Sequence, residues 1–571
     1  NRQLNPRKEW WSGEHEGYWK DSVIRMAFLT GHQKYQELSK RWIDDLISHQ
    51  GADGYIGIYR DCQEPHCRFT HTGGNGELWA TSRILMAMLA YFEFTDDKKV
   101  WDAAVRSARL IMEKYRDKNY FINRGKGGGV SHGIGFFEIL EWLFRLTGDP
   151  AYTEFAVNLY GDFNLGMARD DDLKTGHLLS DDRKFHKHGA HVAEGLFVPE
   201  MIHWIEGSDS LERASRKVRE KLDYHLTPGG AMRCDEFVKG RQGTADERYE
   251  YCGIAEMISP LNRMISFNGK LDQADMLERM VFNAGQGARF PVLTGLSYLT
   301  ADNRIRIRHF EIGRRESYDA AHFAAVCCSL NGGRLMPYYV EGMWARDEES
   351  EGLITFLFGP CKVKTKVRGV PVEITEKTNY PFSDRIEFIF KTEKPVNFPF
   401  SFRRPFGVEQ IETIAPENAE VEEQPDRVTV RHTWKPGDRV EVRFPFKIEE
   451  VKQPSSLTVK GVGAYFRRGP LVYALPFEHK IKGKMERRKS GFYRFRMKAE
   501  SRKGWKYTYP EGESFQRVNR NGAGVENPWS DPPVALRGNL ADKDGNLVPS
   551  ELVPLGTTVF RRVTFPVTYL K

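Results

Sequence analysis

Apolar residues recur mainly at helical spacing over roughly the first 345 positions of the chain. The stretches 19–29 and 78–92 both place apolar side chains every three or four residues, which marks one face of an α-helix. A repeated phrase closes such stretches: Thr30, Thr95 and Thr147 are each followed by glycine or aspartate. Both residue types are common where a helix ends and a turn begins. We therefore predict a series of paired helices in this part of the chain.

Paired helices of this kind must stack on one another to bury their apolar faces. We expect a closed (α/α)6 toroid, and the alternative is an open solenoid that binds a partner on its concave face. Glycine-rich polar loops at residues 71–76 and 125–132 favour the toroid, because loops of this composition often carry functional sites.

Beyond about Trp344 the pattern changes to strict alternation of polar and apolar residues. Residues 427–431 and 439–445 alternate in this way, and the turn-forming segment 434–438 separates them. The predicted fold class is therefore a multidomain α + β protein, a helical toroid followed by antiparallel β-sandwiches. We predict a catalytic toroid over 1–345, a first sandwich over 346–450, and a second sandwich with a loop-rich end over 451–571.

Composition excludes several classes of protein. With 40% hydrophobic, 12% aromatic and 29% charged residues, the chain resembles a globular protein and not a disordered or fibrous one. No apolar run reaches the roughly 18 residues of a membrane span. The net charge of +7 comes from 85 basic and 78 acidic residues spread along the chain, so we expect no nucleic-acid partner and a weak preference for acidic polymers. The chain opens at Asn1 without a leader pattern, so we expect any signal peptide to have been removed.

Four residues have the makings of a metal site. Glu250 and Cys252 form a Glu-x-Cys pair, and Cys327 and Cys328 are adjacent. Zinc accepts thiolate and carboxylate ligands, and a Cys3Glu set is complete for tetrahedral coordination. The alternative is that the adjacent cysteines are small hydrophobes of the core.

The remaining cysteines carry weaker signals. Seven cysteines in 571 residues are few, and an odd number cannot all pair, so we expect no disulfide framework. Cys62 and Cys67 flank His66, and they form a second metal site, a loop disulfide or two free thiols, with spacing that favours the last two. Cys234 has no ligand partner nearby in sequence, and Cys361 begins a predicted strand and is expected in the core.

Three separated segments resemble a known family: Gly229–Phe237 with its paired glycines and an acidic residue, Tyr249-Glu-Tyr-Cys252, and a Cys-Cys-x-x-Asn-x-x-Arg motif from Cys327 to Arg334. They are similar to the β-L-arabinofuranosidases of glycoside hydrolase family 127 and the related family 146. Phrases in the β region, such as 434–440 and 468–473, extend the resemblance to about residues 15–475.

The resemblance implies a zinc ion held by Glu250, Cys252, Cys327 and Cys328, with Cys327 as the nucleophile. A metal holds cysteine as the thiolate, which is the nucleophilic form. Glu236 would be the general acid and then the general base, and burial must raise its pKa for the first role. Asp235 stands where the family has glycine, and the alternative for Glu236 is a solvated loop carboxylate.

The same resemblance implies sugar contacts from His191, Tyr298 and His132, although each is equally compatible with a core or loop residue. Arg83 stands where the family places a substrate-facing histidine. Arginine offers a fork of donors that suits a carboxylate. We therefore predict that Arg83 recognises an acidic or modified sugar, such as the aceric acid of pectin, and the alternative is an arginine on the outer face of its helix.

The predicted function is a retaining exo-glycosidase that releases a terminal furanose, most simply β-L-arabinofuranose, from a plant-type glycan. One alternative is the same machinery acting on an acidic sugar, and another is a non-catalytic carbohydrate-binding protein with structural zinc. Glu236 separates these classes, because a binding protein has no use for a proton donor there. The expected partner is an oligosaccharide or glycan, a homodimer is compatible with the sandwiches, and the expected compartment is a bacterial cytoplasm or periplasm.

Overall fold

The computed structural model describes residues 11–62, 67–70, 76–122, 128–290, 295–306, 327–487, 493–520, 522, 524 and 526–569. Helices dominate the described residues up to Glu341, with two short strands among them, and strands dominate from Trp344 onwards. This order confirms the predicted α + β class. No helix in these described ranges is long and apolar enough to cross a membrane.

The helices, in chain order, are α1 Trp11–Leu29, α2 Gln33–Ser48, α3 Glu77–Thr95, α4 Lys98–Tyr115, α5 Phe136–Thr147, α6 Pro150–Leu165, α7 Thr175–Leu179, α8 Gly189–Gly195, α9 Val198–Glu206, α10 Asp209–His225, α11 Tyr251–Asn268, α12 Asp272–Arg279, α13 Cys327–Asn331 and α14 Leu335–Glu341. A 3-10 turn at Ser131–Gly135 leads into α5.

The repeated phrase at the helix ends acts as a stop signal and a start signal together. Asp96 and Gly148 follow α3 and α5 in the left-handed backbone region, with φ of 54° and 68°. Asp97 and Asp149 then cap α4 and α6 by accepting hydrogen bonds from backbone N–H groups two residues ahead. The short turn makes each helix pair antiparallel, as the sequence predicts.

The inner helices close into a ring. Helix α1 packs on α3, α3 on the 3-10 turn before α5, this turn on α8, α8 on α11, α11 on α13, and α13 returns to α1. Helices α2, α4, α6, α10 and α12 pack outside this ring, each against a neighbour in sequence. The closed ring agrees with the toroid and not with the open solenoid.

The strands, in chain order, are β1 Arg248–Glu250, β2 Leu299–Ala301, β3 Trp344–Asp347, β4 Gly352–Thr355, β5 Cys361–Val367, β6 Val370–Thr378, β7 Arg385–Thr392, β8 Val396–Arg403, β9 Glu412–Ile414, β10 Glu420–Glu423, β11 Arg427–Trp434, β12 Arg439–Arg443, β13 Ile448–Gln453, β14 Gly463–Arg468, β15 Leu471–Phe477, β16 His479–Arg487, β17 Tyr493–Ala499, β18 Tyr509–Pro510, β19 Gln516–Asn519, β20 Val534–Ala541, β21 Leu547–Pro554, β22 Phe560–Arg562 and β23 Phe565–Thr568.

Strands β3 to β12 form two five-stranded sheets with the orders β10-β11-β8-β4-β3 and β5-β6-β7-β12-β9. The predicted turn after Trp434 does not join a hairpin, because β11 and β12 belong to different sheets. Aromatic side chains fill the space between them: Phe390 of β7 stacks on Trp434 of β11 with ring centroids 3.7 Å apart. This arrangement is a β-sandwich, and pairing is antiparallel except between β4 and β8.

The last sheet contacts the toroid through a buried arginine. Strands β13 to β15 and β18 to β23 contribute to this nine-stranded sheet. Arg561 of β22 donates hydrogen bonds to the carbonyl oxygens of Gly287 and Ala301, and its backbone pairs with that of Arg304. The C-terminal sheet therefore buttresses strand β2, which lies beside the candidate site.

Cys62 and Cys67 form a disulfide. The disulfide excludes a second metal site at these two cysteines. It agrees with the loop disulfide, which is one of the two alternatives that the spacing favours. His66, which the sequence placed between them, lies outside the described residues.

Candidate active site and metal centre

The four predicted metal ligands come together inside the ring of helices. Glu250 ends β1, Cys252 lies in the first turn of α11, and Cys327 and Cys328 begin α13. One ligand atom from each of the four lies within 4.8 Å of the others. The Sγ atoms of Cys252 and Cys328 are 3.2 Å apart, and Cys328 Sγ lies 3.6 Å from Glu250 Oε1.

This donor set fits a tetrahedral cation. Sulfur atoms about 2.3 Å from a common zinc ion stand roughly 3.7 Å apart, close to the separations seen here. Burial, followed by repulsion from Glu236 and Cys327, raises the pKa of Glu250 well above its usual value. Burial also raises the pKa of Cys252 and Cys328. Four acidic groups at these distances, three of them buried and Cys327 partly buried, can ionise together only next to a cation, so the cluster has the chemistry of a metal centre.

Glu236 lies in a loop that is clamped to the start of α8. The Gly189 N–H donates to the Glu236 carbonyl oxygen at 2.7 Å, and the Val238 N–H donates to the Lys187 carbonyl oxygen at 2.9 Å. Glu236 has a φ of 78°, a left-handed conformation that is uncommon for a residue with a side chain. Such conformations cost about 1–3 kcal/mol and are concentrated at functional sites.

The environment of Glu236 favours a protonated carboxyl group. Burial raises its pKa to about 8, with further contributions from Cys327 and Asp235, while Arg169 acts in the opposite direction. A carboxyl group with this pKa is a proton donor at neutral pH. The sequence-based alternative of a solvated loop carboxylate does not describe this half-buried residue.

Tyr298 connects Glu236 to the cysteine and carboxylate cluster. Its hydroxyl oxygen is 2.7 Å from Glu236 Oε1, 2.9 Å from Glu250 Oε1 and 4.0 Å from Cys327 Sγ. The antiparallel pair of β1 and β2 sets this position, because Glu250 lies opposite Leu299. A protonated Glu236 can donate a hydrogen bond to the Tyr298 oxygen, while the Tyr298 hydroxyl donates to Glu250. Each of the two hydrogen bonds then has its own proton.

His132 and His191, both predicted from the sequence, lie on the same side of the site. His132 Nδ1 is 2.7 Å from Glu194 Oε2, and His191 Nδ1 is 2.5 Å from Asp170 Oδ2. Their ring centroids are 3.5 Å apart. The structure therefore brings together all predicted site residues except Arg83.

Sequence reasoning missed His188, although it precedes His191 by one helical turn. Its Nε2 atom is 3.8 Å from Glu250 Oε2, and its ring centroid is 4.5 Å from that of His191. Burial, followed by repulsion from His191, lowers the pKa of His188 to about 3. The spacing of two histidines three residues apart was the available signal.

Arg169 and Glu14 were also missed, and no motif marks either of them. The Arg169 guanidinium is 5.6 Å from the centre of the Phe237 ring, donates to Asp170 Oδ2 at 3.3 Å, and remains 41% exposed. Glu14, in the first turn of α1, is buried, and burial and then Cys327 raise its pKa well above the usual value. Only tertiary packing places these two charges at the site.

Arg83 does not occupy the position that its predicted role requires. Its side chain is only 1% exposed, with Nη2 at 2.8 Å from Glu138 Oε2 and Nη1 at 3.2 Å from Glu256 Oε2. Two internal carboxylates already supply the acidic partners that the guanidinium fork prefers. The interpretation of Arg83 as a reader of acidic sugars is therefore corrected, and so is the alternative of an outward-facing arginine.

Glu256 ties the cysteine motif to the rest of the toroid. Its Oε1 accepts hydrogen bonds from Asn331 Nδ2 at 2.7 Å and from Arg334 Nη1 at 2.8 Å. These two residues are the Asn and Arg of the Cys-Cys-x-x-Asn-x-x-Arg motif, and Arg83 binds the other oxygen of Glu256. The motif therefore anchors the helix that carries the cysteine pair to the helix that carries Cys252.

Cys234 has a packing role. Its sulfur lies against α8 so closely that a Cβ atom on Gly189 would approach it to 2.5 Å. Burial raises its pKa to about 12, which keeps the thiol protonated. Cys361 packs against the core of the sandwich region and accepts a hydrogen bond from Trp344 Nε1 at 3.3 Å.

The chain has structural relatives of similar architecture. A GH127 β-L-arabinofuranosidase from Geobacillus stearothermophilus T6 superposes with a TM-score of 0.70 at 17% identity, over 97% of this chain and 90% of that one. A protein described as a glycoside hydrolase gives 0.72 at 17% identity over 98% and 92%, and a GH127 β-arabinofuranosidase gives 0.69 at 15% over 100% and 90%. At these identities the likeness concerns the fold.

The sequence itself matches two family models. The β-L-arabinofuranosidase GH127 catalytic domain matches residues 3–341, and the GH127 middle domain matches residues 352–446. No curated protein sequence matches the chain. The two models cover most of the chain in the order found in the structure, and the resemblance predicted from the motifs is confirmed: the chain belongs to glycoside hydrolase family 127.

Proposed function

We propose that the protein is a retaining exo-glycosidase that releases terminal β-L-arabinofuranose, with Cys327 as nucleophile and Glu236 as acid and base. The observation that carries this proposal is the placement of Cys327 and Glu236 around the hydroxyl group of Tyr298. A proton donor and a nucleophile on two sides of one small space are what a double displacement at an anomeric carbon requires.

Glu250, Cys252, Cys327 and Cys328 would hold zinc, which supplies the positive charge that keeps the cysteines ionised. In this proposal the Cys327 thiolate donates an electron pair to the anomeric carbon, and a carbon–sulfur bond forms. The bond to the leaving oxygen breaks, and that oxygen takes the electron pair and the proton of Glu236. Water then attacks the same carbon, Glu236 accepts a proton from it, and the thiolate leaves.

The remaining polar groups would bind the sugar hydroxyls. His132 and His191 each use Nδ1 on a carboxylate, which fixes the orientation of the ring towards the shared space. Tyr298 keeps the Glu236 carboxyl group in place through a 2.7 Å contact. We therefore propose that these three residues line the subsite for the terminal furanose.

Hydrolysis of an aryl β-L-arabinofuranoside by the reduced, zinc-loaded protein tests this proposal. We expect turnover in the wild type, and complete loss in Cys327→Ser with the fold retained. Cys234→Ser is the matched control, because it changes a buried thiol that has no catalytic role in the proposal. Wild-type protein that is folded and zinc-loaded but binds arabinosides without cleaving them would refute the proposal in favour of a binding protein.

A second candidate substrate is an acidic sugar. The buried Arg83 does not support it, but Arg169 does. The partly exposed Arg169 guanidinium lies beside Phe237 and acts to lower the pKa of Glu236. A furanoside with a carboxylate is the substrate that such a cation would favour. If Arg169→Gln lowers kcat/KM for an acidic furanoside but not for the neutral one, the acidic sugar becomes the preferred substrate.

A further inference from the structure

A pocket of about 390 Å³ lies where the toroid meets both β-domains. Helices α10 and α12 line it from the toroid, and the loop after β8, strand β13 and the turn between β14 and β15 line it from the β-domains. Pockets that bind small ligands usually enclose about 300–1,000 Å³. The described residues that line this pocket are all different from those of the candidate active site.

Two arginines of the pocket are paired with carboxylates of the chain. Arg219 Nε lies 3.0 Å from Asp223 Oδ2, and its Nη1 lies 2.8 Å from Asp272 Oδ2. Arg467 Nε and Nη2 lie 3.0 Å and 2.6 Å from Glu449 Oε2. These guanidinium groups therefore already have the anionic partners that they prefer.

The other two carboxylates of the pocket belong to a buried arginine beside it. Arg403 is fully buried, pairs with Asp275, and places Nη2 2.8 Å from Glu278 Oε2. The Phe406 N–H also donates to Asp275 Oδ1 at 3.1 Å, which fixes the loop after β8 to α12. Asp275 and Glu278 therefore hold the pocket together from within.

Arg279, the last residue of α12, lines the same pocket without a carboxylate of its own. Its Nε atom is buried and has no hydrogen-bond partner, and its guanidinium forms no ion pair with any residue that the structure describes. Burial lowers the pKa of Arg279. Tyr465 and Asp223 act to raise this pKa, and Arg467 and Arg219 act to lower it. Two neighbouring cations thus add to the cost of burying this charge.

Other arginines with a comparable nitrogen do have ion-pair partners. Arg68 and Arg263 also have a buried Nε without a hydrogen bond. Both nevertheless form ion pairs, with Asp53 and Glu141 respectively. Arg279 differs from them because its partner must come from outside the described chain.

An exposed aromatic ring lies at the edge of this pocket. Phe406 is 66% exposed, and the Arg467 guanidinium carbon is 5.3 Å from the centre of its ring. Flat apolar faces beside hydrogen-bond donors are the surfaces against which sugar rings pack. The pocket thus combines a ring platform with a cation that lacks a partner.

We propose that this pocket is a second glycan-binding site, in which Arg279 binds the carboxylate of a uronate residue and Phe406 packs against the sugar ring. The guanidinium fork matches the two oxygens of a carboxylate. A sugar is the expected occupant because the chain belongs to a glycoside hydrolase family, and its net charge of +7 favours acidic polymers. Such a site would hold the enzyme on an acidic polymer without taking part in the reaction.

Isothermal titration calorimetry of the whole protein with a trimer of galacturonate tests this proposal. We expect Arg279→Gln to raise the Kd of the trimer by about 10–100-fold, as the loss of a charge-assisted hydrogen bond does. Phe406→Ala changes an exposed side chain, so it should keep the fold and also weaken binding. Arg537→Gln is the matched control, because Arg537 is 62% exposed and pairs with Glu551 on the surface.

Three other ligands and variants identify the occupant. A neutral galactose trimer should bind much more weakly than the galacturonate trimer, and equal binding would overturn the role of the carboxylate. Inorganic phosphate that binds as tightly as the trimer would replace the glycan by a small oxyanion. Absence of binding to the wild type, or loss of binding in Arg169→Gln but not in Arg279→Gln, would overturn the proposal, because the second result places the trimer in the active site.

The binding result does not depend on the proposed reaction. Arg279→Gln should keep the wild-type turnover of a small neutral aryl β-L-arabinofuranoside, which has no carboxylate for the pocket. A wild type that fails to cleave this compound would refute the proposed function and leave the galacturonate titration unchanged. Failure of the second site and failure of the proposed function are therefore separate outcomes.

Discussion

Replacing Arg83 with methionine tests the corrected role of this residue. Methionine keeps most of the aliphatic volume and removes the charge, so Glu138 and Glu256 lose their shared cation. Burial by itself lowers the pKa of Arg83, but Glu138 and then Glu256 raise it above its usual value, so the guanidinium is charged at all ordinary pH values.

The expected loss of stability is large. Both ion pairs have partners that are at most 2% exposed, at 2.8 Å and 3.2 Å. Removing one member of a buried ion pair costs about 3–5 kcal/mol, because the remaining charge stays buried without compensation. Arg334 still contacts Glu256, and Arg263 lies 3.7 Å from Glu138, so we expect the lower part of this range.

The assay is urea unfolding followed by far-ultraviolet circular dichroism, a signal dominated by the toroid helices. Arg109→Met is the matched control, because Arg109 pairs with Asp149 on the surface and its side chain is 63% exposed. That pair should contribute about 0–1 kcal/mol. Equal unfolding midpoints for the two variants would refute the reasoning from burial.

Kinetics on the same variant separate the two roles considered for Arg83. A residue that reads the substrate would raise KM in Arg83→Met protein that is as stable as the wild type. We expect the opposite result: Arg83→Met lowers the stability of the protein, and the KM of the fraction that remains folded is unchanged. A raised KM with unchanged unfolding would restore the substrate-reading hypothesis.

Four further outcomes follow from the site. Cys252→Ala should lose both the bound metal and thermal stability, since binding energy at such a site is also folding energy, as metal analysis and calorimetry would show. Glu236→Gln should slow substrates with poor leaving groups by about 10²–10⁴-fold and activated aryl glycosides much less, as steady-state kinetics on both would show. Arg169→Gln removes a cation that lowers the pKa of Glu236, so the alkaline limb of the kcat/KM profile should move to higher pH. Metal affinity should fall as pH falls, because Glu250 and Cys328 have raised pKa values and must lose protons to bind, and a metal titration that is flat with pH would contradict this.

Local patterns in the sequence predicted elements and ligand types well. Alternation predicted β12, and the structure buries Val440 and Val442 while exposing the charged residues between and around them. The Glu-x-Cys and Cys-Cys motifs predicted a group of four side chains that could hold a metal, and the structure brings these side chains together. Short spacing at a strand end or a helix start fixes where such side chains point.

Partners from distant elements were not predictable. The helical pattern left open whether Arg83 faces inwards, and it does not show that Glu138 and Glu256 approach it from two other helices. His188 reaches the site only because residues 186–189 pair with the loop that carries Glu236. Nothing local to either segment encodes this pairing, and Arg169 and Glu14 escaped notice for the same reason.

The interior of the toroid contains two kinds of buried carboxylate, and their partners distinguish them. Asp21 and Glu138 have lowered pKa values, because arginines outweigh the effect of burial. Glu14, Glu194 and Glu250 have raised pKa values, and among the described residues their only ion-pair partners are histidines. The first group forms ion pairs with arginines that hold the helices together, so its negative charges are balanced within the protein. The second group places acidic side chains close to the cysteines, and burial raises their pKa values most. This part of the toroid therefore favours protonated carboxyl groups or a bound cation.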